Sequence, residues 1–184
     1  EFLAELRSLE TEAARALEFV ILTASRSDEV RSAPWSEFDL EKALWKIPAA
    51  IMKRARDHIV PLSDPAISLL LAQRGHAKAF PFANRRGEPL SDMALSALIK
   101  RMHLASLSRK ESGFVDPNSM RIAVPHGFRS SFKDWARNLT SYPDEVSELA
   151  LAHVNSDATR AAYARDALLG PRKSLMKDWA DFCG

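Results

Sequence analysis

Trp35-Ser36-Glu37-Phe38-Asp39-Leu40, Leu44-Trp45-Lys46-Ile47 and His58-Ile59-Val60-Pro61-Leu62 decide the fold. On either side of this stretch apolar residues return every three or four positions, and within it that helical period is lost. The three segments read as short strands. Glu41-Lys42 makes the first turn, and the longer, basic Met52-Lys53-Arg54-Ala55-Arg56-Asp57 makes the second connection. Strands this close in sequence pair most economically as an antiparallel meander. The expected fold is mainly α with a small three-stranded antiparallel β-sheet (α+β).

Working outward, Leu3, Leu6, Leu9, Ala13, Leu17, Val20 and Ile21 predict one amphipathic helix ending near Ala24. Ser27 is expected to cap a short second helix that Pro34 closes. Beyond the sheet, Asp64-Pro65 starts a helix and Gly75 stops it. Ser91 is read as the cap of a helix carrying Leu95, Leu98, Ile99 and Met102. Ser106 to Val124 reads as a long loop. Helices come next from Pro125 to about Arg137, from Pro143 to about Leu151, around Tyr163 after Asp157, and from Gly170-Pro171 to the end. No internal repeat or low-complexity segment interrupts the pattern.

Composition narrows the class. With 184 residues the chain holds one domain with a real core, taken as residues 1–184. Its 46% hydrophobic and 27% charged residues give a soluble globular balance, neither disordered nor fibrous. No apolar run is long enough for a bilayer, and no basic n-region marks a signal peptide. The sole cysteine, Cys183, cannot form an internal disulfide, which fits a cytoplasmic location. A net charge of +2 permits nucleic-acid binding without demanding it. The first residue is Glu1, inside a helical pattern, so the chain is expected to be an excised domain whose upstream part is missing.

The chemistry rests on a few residues, each with a plain structural alternative. His126-Gly127-Phe128-Arg129 places an imidazole and a guanidinium three residues apart on one helical face. The planar guanidinium fork suits two oxygens of one phosphate, and the imidazole can donate a hydrogen bond or move a proton. The alternative is a solvated pair. Arg26 lies at a helix junction near free backbone amides, where anions bind well; it also has Glu29 three residues on for a salt bridge. Lys53 sits in the basic connection, where a lysine can protonate a leaving alkoxide, or is simply solvated like Arg54 and Arg56. Tyr163 is a weak nucleophile unless cations stabilise its oxyanion, and is otherwise an aromatic anchor. His153 stands ten residues before it, and is otherwise a helix-end histidine bonded to backbone. The five histidines, His58, His76, His103, His126 and His153, match no zinc spacing, so no metal is expected.

Taken in order, Arg26, Lys53, His126 with Arg129, His153 and Tyr163 resemble the signature of the tyrosine recombinases, or phage integrases. Ser25-Arg26-Ser27-Asp28-Glu29-Val30 resembles that family's first box, and Met52-Lys53 with His58-Ile59-Val60-Pro61-Leu62-Ser63 its lysine hairpin. Ala162-Tyr163-Ala164-Arg165 and Met176-Lys177-Asp178-Trp179-Ala180 resemble the tail of integrases from prophages and genomic islands. The resemblance covers nearly the whole chain, and it implies that the missing upstream part holds DNA-binding domains. Two positions depart from it: Ala24 stands where the family usually has Gly before its arginine, and Ala152 replaces the Gly of Leu-Gly-His. Both bear on loop geometry more than on chemistry.

The resemblance implies a site-specific DNA recombinase that acts without cofactor or metal. Tyr163 would attack the scissile phosphorus to form a 3′-phosphotyrosine, while a 5′-hydroxyl leaves. Arg26 and Arg129 would stabilise charge on the non-bridging oxygens. Lys53 would act as general acid, His126 would assist the tyrosine as base, and His153 would bond a non-bridging oxygen. Double-stranded DNA at attachment sites is the implied partner, with Arg54, Arg56, Arg85, Arg86, Lys100 and Arg101 as candidate phosphate contacts. The implied assembly is a homotetramer on DNA for a full-length protein and a monomer for the isolated domain, with no membrane association. The last helix is offered to a neighbour through Leu175, Trp179 and Phe182, or else packs on its own core. The competing classes are a type IB topoisomerase and a non-catalytic DNA-binding regulator.

Overall fold

Antiparallel pairing joins β1 (Phe38–Asp39), β2 (Leu44–Ile47) and β3 (His58–Pro61) in that order, as the sequence predicts. The computed structural model describes residues 1–51, 57–117, 119–153 and 168–184. Trp45 lies opposite Val60 and Ile47 opposite His58. Trp45 and Ile47 are fully buried while Lys46 between them is exposed, so one sheet face forms part of the core. Trp35–Glu37 does not extend the first strand but forms a 3-10 turn. The reason is a polar one: the indole N–H of buried Trp45 needs an acceptor, and the turn brings the Glu37 carboxylate to 2.9 Å from it.

The predicted first helix is two helices, α1 (Phe2–Arg7) and α2 (Glu12–Thr23). Thr11 restarts the helix by accepting the Ala14 amide on its hydroxyl at 3.2 Å, a cap that the apolar period alone does not reveal. From Ala16 to Thr23 every residue of α2 is buried, which makes it the central element. Around it lie α3 (Ser27–Ser32), α4 (Asp64–Ala72), α5 (Ala94–Ser108), α6 (Gly127–Leu139), α7 (Asp144–Ala150) and α8 (Leu169–Cys183). The N-cap of α3 is Arg26, not Ser27, and that of α5 is Met93, not Ser91. The helix expected around Tyr163 lies outside the described residues.

The loop expected from Ser106 is shorter, because α5 runs to Ser108. The segment after α5 folds back on the body. Phe114 donates its amide to His103 Nδ1 at 2.9 Å and packs edge-on against Phe2, with ring centroids 5.0 Å apart. Gly113 is required here: its φ is +70°, and a Cβ would meet the His103 ring at 2.6 Å. At the other end of the chain, α8 closes the core. Leu175 and Trp179 are buried, and the Trp179 indole donates to Ile21 O at 2.7 Å. No described helix is long and apolar enough to cross a membrane.

Candidate active site

Arg129 is the keystone. It enters from the first turn of α6 and is only 5% exposed. One guanidinium nitrogen donates to Ala24 O at 2.5 Å and another to Leu151 O at 2.8 Å. The first carbonyl lies two residues before Arg26 and the second two residues before His153. One side chain thus fastens together the two loops that carry Arg26 and His153. The fork geometry explains why an arginine is needed, since two fixed N–H directions reach two separate loops.

Both fastened loops turn through left-handed backbone. Ala24 caps α2 at φ 49°, and Ala152 comes after α7 at φ 53°. These are the two positions where the sequence departs from glycine. The backbone keeps the glycine-like conformation, at a cost of about 1–2 kcal/mol for each alanine.

Arg26 sits at the N-cap of α3, where Glu29 holds it twice. The Glu29 carboxylate accepts the Arg26 amide at 2.8 Å and its guanidinium at 2.6 Å. The salt bridge expected from sequence is therefore present, and it fixes Arg26 in place. Arg26 and Arg129 are close enough to feel each other. Burial first, and then the Arg26 charge, lowers the Arg129 pKa to about 10, which still leaves it fully charged at neutral pH. Among the described residues, Glu29 is the carboxylate bonded directly to the pair; the bonds of Arg129 go to neutral carbonyls. Two half-desolvated cations with one bonded counter-charge are arranged to receive an anion.

His153 is exposed, and its Nδ1 lies 3.1 Å from Glu148 Oε2. A carboxylate only accepts, so Nδ1 carries the proton and Nε2 is left for a ligand. Glu148 also pairs with Lys133 of α6 at 2.6 Å, which ties the His153 turn to the Arg129 helix a second time. His126 is exposed at the N-cap of α6, one turn before Arg129. Lys53, Tyr163, Arg54 and Arg56 lie outside the described residues. Of the other proposed DNA contacts, Arg85 and Arg86 are exposed in a tight turn closed by the Ala83–Pro89 bridge, and Lys100 and Arg101 are exposed on α5. None of these four is tied to the arginine pair by a bond. An open groove of about 870 Å³ beside β1, bounded by Trp35, Phe38, Lys46 and Lys78, contains none of the signature residues.

Two residues at the site escape a reading of the sequence. His58 of β3 donates through Nε2 to Ala150 O at 3.2 Å. Arg172 of α8 is buried and donates to Ile59 O at 2.8 Å. The signal for His58 is present in the register: it faces Ile47 across the sheet, on the side that elsewhere holds only core residues. Arg172 carries no such signal, because an arginine in the first turn of an amphipathic helix reads as solvated.

A mainly helical body, a three-stranded meander and a buried Arg129 beside a half-buried Arg26 are the marks of the catalytic-domain fold of the tyrosine recombinases. Residues 1–168 match the phage integrase family, and the chain belongs to that family. It is 36% identical to the prophage integrase IntA of Escherichia coli K12 over 165 residues, covering 88% of this chain and 36% of that protein. It is 33% identical to the integrase of Shigella phage Sf6 over 165 residues, covering 87% of this chain and 39% of that protein. The chain thus spans well under half the length of these relatives. Among solved structures, the Tn1549 transposon integrase in complex with circular intermediate DNA superposes with a TM-score of 0.58 at 15% identity, over 89% of this chain and 62% of that one. The XerH site-specific recombinase bound to its difH substrate also gives 0.58, at 19% identity, over 92% and 50%. At such identities these two likenesses concern the fold.

Proposed function

We propose that this chain is the catalytic domain of a site-specific DNA recombinase that integrates or excises a mobile element through a 3′-phosphotyrosyl intermediate. The observation that carries the reading is the Arg26–Arg129 pair, held by two loops and one helix start, with one carboxylate bonded to it among the described residues. In this reading the pair receives the non-bridging oxygens of the scissile phosphate. Charge grows on those oxygens as Tyr163 attacks, and cations fixed beforehand need no reorganisation to meet it. His153, with Nδ1 occupied by Glu148, offers Nε2 to the same oxygens. Lys53 protonates the departing 5′-oxygen, and His126 takes the phenol proton. The bond energy is kept in the phosphotyrosine, so rejoining by the 5′-hydroxyl needs no nucleotide. Duplex DNA bearing an attachment site is the substrate, bound mainly through its phosphates and hence sensitive to salt. Four protomers on two duplexes is the assembly proposed for the full-length protein.

The test uses labelled, nicked duplexes spanning candidate attachment sites, incubated without added metal and run on denaturing gels. The nick lets the short 5′-hydroxyl fragment diffuse away, so the covalent intermediate accumulates. A protein-linked band is expected from the wild type and none from Tyr163→Phe. Arg129→Ala should slow its formation by roughly 10²–10³. A band of equal strength from Tyr163→Phe would remove that residue as nucleophile. Relaxation of supercoiled DNA lacking any such site would move the assignment to a topoisomerase.

A further inference from the structure

We propose that His58 is a positioning residue for the arginine pair: as an uncharged donor on β3 it fixes the end of α7, and through it the carbonyl that orients Arg129. The inference rests on the recombinase reading above. Its starting point is a sequence of contacts. The His58 ring meets Ala150 O, the last residue of α7, through Nε2 at 3.2 Å. The next carbonyl along, that of Leu151, accepts Arg129 Nη2 at 2.8 Å. The residue after that is Ala152 at φ 53°, and then comes His153. A left-handed alanine has no steric preference for its place, so the turn must be held by its neighbours. His58 holds it from the sheet side and Arg129 from the helix side.

Chemistry fixes the form of the imidazole. A carbonyl can only accept, so Nε2 carries the proton, and a neutral ring is enough to supply it. A charged ring is disfavoured there. Burial chiefly, then the charges of Arg172, Arg129 and Arg26, lower the His58 pKa to about 4, against the opposing pull of the Ala150 carbonyl. The residue therefore delivers a hydrogen bond beside a cluster of guanidinium groups without adding to their mutual repulsion. A lysine or arginine at the same place would donate equally well but would crowd in another cation. On the far side, Arg172 donates to Ile59 O at 2.8 Å, so β3 is pinned to α8 one residue beyond the point where His58 pins it to α7. The strand that leads out of the Lys53 connection is thus the common reference for the arginine pair, the His153 turn and the start of the last helix.

A positioning role predicts a pattern that packing or proton transfer would not give. His58→Gln keeps an N–H donor of similar reach and loses the titration. His58→Leu keeps volume and loses the donor. Both are made in this chain and in any longer polypeptide that contains it, and assayed on the nicked duplexes in single turnover, with duplex affinity measured separately. The expected result is that His58→Gln forms the covalent complex within about threefold of wild type with the same pH profile. His58→Leu should be slower by about tenfold to a hundredfold, as displaced catalytic groups are, with DNA affinity within about twofold. If His58→Leu matches wild type, the ring only fills space and the proposal is overturned. If both variants lose rate alike and His58→Gln flattens the pH profile, the ring moves a proton and the proposal is likewise overturned. A wild-type protein that yields no Tyr163-dependent band on any duplex overturns the recombinase reading and this inference with it, whereas a wild-type band equal to that of His58→Leu removes the inference alone.

Discussion

Ala24 and Ala152 are legible in the sequence as departures from glycine, but only the backbone shows what the departures do. Each sits at a positive φ that glycine adopts freely and alanine does not. Arg129 bonds to Ala24 O and Leu151 O, so the strained corners are the ones its guanidinium holds. Replacing either alanine by glycine removes about 1–2 kcal/mol of steric cost. It also loosens the unfolded chain, which takes back about 0.4–1 kcal/mol. Ala24→Gly and Ala152→Gly should therefore each raise stability by up to about 1 kcal/mol in urea denaturation, with covalent-complex formation unchanged. Loss of stability in Ala152→Gly, whose methyl lies outside the core, would mean that this corner does not hold its left-handed conformation in solution; in Ala24→Gly the gain is offset by about 0.8 kcal/mol for the buried methyl it removes. At this scale the sequence speaks through side-chain type. Arg26, Arg129 and His153 are readable because guanidinium and imidazole groups in order are chemically specific. His58 is not, because its role lies in a register contact rather than in a motif.

Among elements, period is a good guide and capping a poor one. The three strands and the helices of the described residues are expected from sequence, while the break at Thr11, the 3-10 turn at Trp35 and the length of α5 are not. Each miss has a polar cause: a hydroxyl that caps, a buried indole that demands a carboxylate, or a histidine that receives an amide. The last helix illustrates the distinction between self-packing and a partner surface. Leu175 is fully buried and Trp179 nearly so, and both sit in this chain's own core against α2 and α6, so they are not available to a neighbour. Phe182 is 60% exposed and stacks on Trp179 with centroids 5.7 Å apart. Leu175→Ala should then cost about 2–5 kcal/mol of unfolding free energy, as a core truncation does. Phe182→Ser should cost well under half of that, because most of its surface already meets water. Equal losses from the two substitutions, read by chemical denaturation of the monomer, would contradict this division of the helix into core and surface.

For the molecule as a whole, net charge says little and charge placement says much. An excess of +2 over 184 residues is near neutrality, yet three guanidinium groups converge on one imidazole. The folded protein keeps that imidazole neutral, and acid works against it. His58 titrates at about 4 when folded, lowered mainly by burial and next by Arg172, against an ordinary value of 6.5. Between those values the unfolded chain binds a proton that the folded chain refuses. Stability from this source is thus complete above the ordinary value and drains away as the pH falls toward the folded one. Between 6.5 and about 4 the loss is at most about 3.4 kcal/mol at about 1.36 kcal/mol per pKa unit, and less in practice because the residue is not wholly out of water. Carboxylates that pair in the folded state, such as Asp39 and Asp144, also lose their contribution in acid, so the total slope does not isolate His58. The difference between wild type and His58→Gln does, since every other group is common to both. Urea denaturation at about pH 7 and about pH 4.5 should show wild type losing roughly 1–3 kcal/mol more than His58→Gln over that interval. Parallel losses in the two proteins would mean that water reaches the ring freely, and that β3 does not grip the end of α7 as tightly as the Ala150 contact requires.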